Sequence, residues 1–186
     1  MTFCSIFVFP NNKLYAVKFD GETQDEYQKA FNQWQDVEYL HDFFEEHKAD
    51  LENGFYNCPS VDEAIAQTLK ESREFEQRIR ALCKQEKNNL NDVIFRPLNK
   101  KETKIELQQN KAYGMGNSRS WLRLYAIRLS QSIYFVTGSA IKLTATMSER
   151  EHTKKELEKL TKVAQDLKDE GIIEEDDFGY LEIQNQ

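Results

Sequence analysis

Glycine is scarce in this 186-residue chain, at 7 positions, so loops that could cradle a phosphate through bare backbone are few. No G-x-x-x-x-G-K, G-x-G-x-x-G, G-x-S-x-G or H-E-x-x-H pattern occurs, which removes the usual nucleotide, dinucleotide, serine-hydrolase and zinc-protease readings. Cysteine is scarcer still. Cys4, Cys58 and Cys83 are odd in number and far apart, which fits neither a disulfide framework nor a zinc-ligand spacing and points to a reducing cytoplasm. Nowhere does an apolar run approach the ~20 residues needed to span a bilayer, and the N-terminus has no basic region ahead of its apolar stretch. Neither a membrane partner nor an export signal is expected. His41 and His47 have no partner at a metal-ligand spacing, so no metal and no cofactor is expected.

What the chain does have is large aromatic residues, 12 Phe, 8 Tyr and 2 Trp, enough to build a core in an otherwise polar sequence. Its charge is also unevenly spread. The formal net charge of −7 divides into −8 over residues 1–93, +8 over 94–168 and −7 over 169–186. Clustered positive charge in an acidic protein is the usual footprint of a phosphate-bearing partner.

The patterning predicts an α+β protein: an N-terminal β-hairpin and long helices, then a C-terminal antiparallel β-meander followed by a helix. Residues 1–168 read as one domain, made of a hairpin (1–22), a helical part (23–90) and a sheet with its helix (91–168). Residues 169–186 read as an acidic tail. The runs 3–9 and 13–19 are rich in aromatic and β-branched residues and flank Pro10-Asn11-Asn12, a hairpin signature. Thr23 with Glu26, Ser60 with Glu63 and Thr153 with Glu156 each have capping-box spacing ahead of an amphipathic run. The first run predicts one or two helices ending near Asn53-Gly54, the second a helix to about Lys87, and Asn88-Asn89-Leu90-Asn91-Asp92 a turn-rich break. Residues 121–129, 133–137 and 140–146 read as three strands, the last two parted by Gly138-Ser139.

Strand alternation puts Arg123 and Tyr125 on one face with Trp121, and Arg128 on the other with Leu122, Leu124 and Ala126. A single site using both arginines therefore needs a bulge. Lys142, Thr144 and Thr146 share a face of the last predicted strand, a platform suited to an anionic ligand. His152, just before the predicted cap Thr153, is placed where an imidazole could exchange protons with a phosphate at a helix N-terminus. In the tail, Phe178, Tyr180, Leu181 and Ile183 could dock as an arm, and charge alone suggests that Glu174 to Asp177 fold over the basic sheet.

Residues 92–168 resemble the RelE/HigB-like toxin superfamily, including its phage-derived members. Phe95-Arg96-Pro97-Leu98 is similar to the family's lead-in, Trp121-Leu122-Arg123-Leu124-Tyr125 to its first core strand, and Lys142 with the Glu149–Lys155 segment to its basic approach to the last helix. The resemblance implies a metal-independent endoribonuclease that cleaves messenger RNA, often on the ribosome, and is neutralised by an antitoxin protein. It also implies roles: Arg123, Arg128 and Lys142 stabilising phosphate, Tyr125 positioning substrate, and His152 acting as base or acid. The alternative is a non-catalytic protein of the same fold that binds a protein partner or RNA without cutting.

Overall fold

The computed structural model describes residues 1–9, 12–53, 56–57, 59–85, 90–99, 107–114, 119–181 and 183–184. The predicted turn at Pro10-Asn11, Gly54, Cys58 and the first part of the predicted break, Asn88-Asn89, lie outside the described residues; the rest of that break, 90–92, is a short helix and not a turn.

The chain is α+β and builds one mixed sheet of seven strands. β1 (Thr2–Phe9) and β2 (Asn12–Lys18) form the expected hairpin, followed by α1 (Glu26–Gln35), α2 (Val37–Glu46), α3 (Lys48–Glu52) and α4 (Val61–Cys83). After α5 (Leu90–Val93) come β3 (Phe95–Pro97), β4 (Gln108–Tyr113), β5 (Leu122–Arg128), β6 (Ile133–Ile141), α6 (Glu151–Asp169) and β7 (Ile183–Gln184). The order across the sheet is β3-β4-β5-β6-β2-β1-β7. The four strands from β3 to β6 pair antiparallel, whereas β6 meets β2 parallel, so the hairpin extends the C-terminal meander.

Alternation along β5 divides the core. Leu122, Leu124 and Ala126 face a layer formed by α1, α2 and α4, with Phe31, Trp34, Phe44 and Phe75 at its centre. Tyr125, Ile127 and Leu129 face α6, which contributes Leu160, Val163 and Leu167. The sheet is thus sandwiched between helices. No described helix is long and apolar enough to cross a membrane.

Local signals were obeyed unevenly. The Ser60–Glu63 capping box forms as predicted, at the head of a helix that stops at Cys83, short of Lys87. Thr23 does not cap α1. Asp25 does, its carboxylate accepting from the backbone of Tyr27 and Gln28, while Glu26 turns inward to Lys159. The first amphipathic run breaks into three helices because Asp36 caps α2 directly behind α1 and His47 interrupts the next turn. Thr153 is likewise no cap, since α6 has already begun at Glu151 and the Thr153 hydroxyl donates back to the carbonyls of Met147 and Arg150.

The largest departure is in the meander. Gly138-Ser139 does not turn: β6 runs straight through it, and residues 142–146 form a loop, so Lys142, Thr144 and Thr146 are not a strand face. The register with β5 shifts there, Tyr125 opposing Gly138 and Ala126 opposing Val136, which leaves Thr137 as a bulged residue. Gly138 makes room here for a side chain: a Cβ would lie 1.8 Å from Glu156 Oε2, which accepts from the neighbouring Ser139 N. Gly138→Ala should displace that carboxylate and lower stability by about 1–3 kcal/mol, measured by urea unfolding; an unchanged midpoint would mean that Glu156 moves aside freely.

The acidic tail is part of the sandwich. Phe178 packs on Tyr15 with ring centroids 5.1 Å apart, Leu181 and Ile183 join the α6-side core, and β7 adds parallel to β1. Among the described residues, Glu174 to Asp177 do not cover the basic sheet. Glu175 approaches Lys13 at 3.9 Å and accepts from Ser132, and Asp177 accepts from the backbone of Ile173 and Glu174. Tyr180, expected to dock with Phe178, Leu181 and Ile183, stays exposed instead.

Candidate anion-binding site

Arg123 and Tyr125 lie on the α6 side of β5, near the end of the strand where β6 gives way to the 142–146 loop. There they line a cavity of about 370 Å³ with Lys111 and Tyr113 from β4, Tyr56 from the α3–α4 connection and Lys142. Among the described residues, none that lines it is a carboxylate.

Arg123 is only 6% exposed, and among the described residues it makes no ion pair. Its guanidinium donates to the carbonyls of Ser120 and Leu122 and sits 4.1 Å from the centroid of the Tyr113 ring. A buried cation held by carbonyls and an aromatic face keeps its charge uncancelled, and an anion in the cavity would complete its coordination. Tyr125 supplies a second incomplete group. Its hydroxyl is buried without a hydrogen-bond partner among the described residues, and burial raises its pKa, so it stays a neutral donor.

Lys142 curls back into its own loop, Nζ donating to the carbonyls of Thr144 at 2.5 Å and Ala145 at 2.6 Å. One position on the nitrogen remains for the cavity. Burial, helped by repulsion from Arg123 and, more weakly, Lys111, pulls the ammonium pKa down to about 8. The loop is pinned from both ends: Tyr56 Oη donates to the Lys142 carbonyl at 2.9 Å, and Glu149 accepts from the backbone and hydroxyl of Thr146.

The other two candidates lie elsewhere. Arg128 is on the opposite face of β5, at the far end of the strand, where its Nε donates to Ser130 and its guanidinium lies 6.0 Å from the Tyr134 ring. The bulge does not reunite the two arginines, because the extra residue, Thr137, sits in β6 and leaves the parity of β5 unchanged. His152 lines a separate cavity. Its Nε2 is 3.0 Å from the Ile141 carbonyl, which can only accept, so that nitrogen carries the proton; burial lowers the imidazole pKa. The site therefore gathers Arg123, Tyr125 and Lys142 and leaves out Arg128 and His152.

Residues Tyr56, Lys111 and Tyr113 escaped the sequence reading. β4 is the polar run QQNKAY, whose inward positions include Gln108 and Asn110, so no apolar alternation marks it. The signal available was the two-residue spacing of Lys111 and Tyr113.

No family model matches the chain, and no curated protein or solved structure matches it either.

Proposed function

We propose that the chain is a RelE/HigB-like toxin, a metal-independent endoribonuclease whose scissile phosphate is held in the cavity of Arg123, Lys111 and Lys142. The observation that carries this reading is a cavity whose described lining has three cations and three tyrosines and no carboxylate, a polarity suited to a phosphodiester and hostile to a cation. Arg123 and Lys111 stabilise the charge that develops on the phosphoryl oxygens, and the Tyr125 hydroxyl donates to one of them. Lys142, with its pKa near 8, takes the place in proton transfer that the resemblance gave to His152. Its neutral amine accepts the proton of the 2′-hydroxyl, the 2′-oxygen attacks phosphorus, the bond to the 5′-oxygen breaks, and water protonates the leaving oxygen. The products are a 2′,3′-cyclic phosphate and a 5′-hydroxyl. The partners that go with this reading are RNA, free or on the ribosome, and an antitoxin protein that would present carboxylates to the same cavity.

The test is cleavage of messenger RNA by the purified chain in the presence of a chelator, with and without ribosomes, followed by analysis of the ends. Cyclic-phosphate and 5′-hydroxyl ends formed in chelator support the reading. Intact RNA under both conditions overturns it. A second reading, RNA binding without cleavage, is favoured by one observation: the Lys142 ammonium already donates to two carbonyls, which holds it as a cation. RNA retained with unchanged length, and binding that weakens steeply with salt, would select that reading.

A further inference from the structure

β6 outlasts its parallel neighbour. The pairing with β2 ends at Val136, so from Thr137 to Ile141 the described sheet continues on the β5 side only. Lys142 N donates to Trp121 O, which fixes the parity beyond the bulge: residues 138, 140 and 142 turn their peptide groups to β5, and Ser139 and Ile141 turn theirs to the open edge. An unpaired edge presents bare donors and acceptors that must find partners.

Side chains of α6 satisfy half of them. Glu156 Oε2 accepts from Ser139 N at 2.9 Å, and His152 Nε2 donates to Ile141 O. The spacing explains the pairing: four helical residues rise about 6 Å and two strand residues about 6.7 Å, so positions i and i+4 of α6 reach alternate edge residues. That leaves the Ser139 carbonyl and the Ile141 N–H, which have no partner among the described residues. Both residues line a cavity of about 630 Å³ between α1, α2, β6 and α6.

A carbonyl at one residue and an N–H two residues on is the pair that one residue of a parallel strand would use. Here Glu156 and His152 occupy the groups on either side, so strand addition could not extend beyond that residue. A planar heterocycle with a donor beside an acceptor satisfies both groups within its own ring plane. We propose that this cavity binds an amino-substituted nucleobase, adenine or cytosine, the exocyclic amine donating to the Ser139 carbonyl and the adjacent ring nitrogen accepting from the Ile141 N–H. The volume suits a base with its ribose, and Tyr39, Phe43 and His152 provide ring surface. Charge selects within the class. Five carboxylates line the cavity against three lysines, and Lys159 is already held between Glu26 at 3.0 Å and Glu156 at 2.9 Å. Such a surrounding favours an amine over the carbonyls that uracil presents.

The inference does not rest on RNA cleavage, and an uncharged nucleoside tests it separately. Adenosine and uridine are titrated into the ¹⁵N-labelled full chain. Adenosine should move the Ile141 amide resonance downfield and slow its exchange with solvent, and uridine should need about tenfold higher concentration for the same change. Tyr39→Ala should weaken adenosine binding by a similar factor, and Lys142→Met should leave it unchanged. An Ile141 amide that stays still at millimolar adenosine overturns the proposal, as does an equal response to uridine or loss of the response in Lys142→Met, which would place the nucleoside in the anion pocket.

Discussion

Lys142→Met is expected to reduce RNA cleavage by about 10² to 10⁴-fold, the usual contribution of a positioned proton-transfer group, with no loss of thermal stability. The side chain is half-buried on a loop, and among the described residues its amine donates to carbonyls of that loop alone, so the described core does not depend on it. The sign of the pH dependence follows from its role. A base acts when deprotonated, so the wild-type rate should climb with pH while Lys142 is still charged and level off above about 8. Lys142→Arg separates this role from simple electrostatics. Arginine keeps the charge and hence the affinity for RNA, but it cannot give up its proton in this range, so binding should survive while cleavage fails. Cleavage by Lys142→Arg at close to the wild-type rate would make Lys142 an anchor for phosphate and leave the base unassigned.

Arg123 and Tyr125 were legible because charges and hydroxyls inside apolar strands must have a reason to be there, and alternation put the two on one face; it failed for Trp121, which packs with the helical layer, and for Lys142, which lies on a loop and not on a strand face. The same alternation correctly separated Arg128. His152 was misplaced because the sequence does not reveal where β6 loses its neighbour; once that edge is known, the histidine and Glu156 read as its cover. The hairpin and the Ser60 helix were legible for a different reason, since their signals are local. Gly138-Ser139 misled because a glycine in a strand pattern marks either a turn or a close approach, and only the position of Glu156 decides between them. Tyr56 could not have been found by any local pattern. It lies 86 residues from Lys142 and belongs to the site only because the helical layer brings the α3–α4 connection to the end of the sheet.

That dependence of the site on the helical layer leads to the largest expected effect on stability. Trp121 is fully buried where the two meet: its ring lies edge-on to Phe44 at 5.7 Å and to Tyr56 at 5.3 Å, and its Nε1 donates to Thr68 on α4 at 2.9 Å. Trp121→Ala should cost about 3–5 kcal/mol, a large share of the ~5–15 kcal/mol that holds a typical domain together. Thr68 does not add to that cost, because its hydroxyl also donates to the Ala64 carbonyl and stays satisfied. Trp121→Phe keeps most of the packing and should cost less than about 1.5 kcal/mol. The two variants should also differ in function at temperatures where both are folded. Tyr56 keeps an aromatic partner in the phenylalanine variant and loses it in the alanine variant, and with it the ordered hydroxyl that holds the Lys142 carbonyl. RNA affinity should therefore fall in Trp121→Ala and hold in Trp121→Phe, measured on protein shown to be folded by circular dichroism. Equal affinities in the two would mean that the helical layer stabilises the sheet without shaping the pocket.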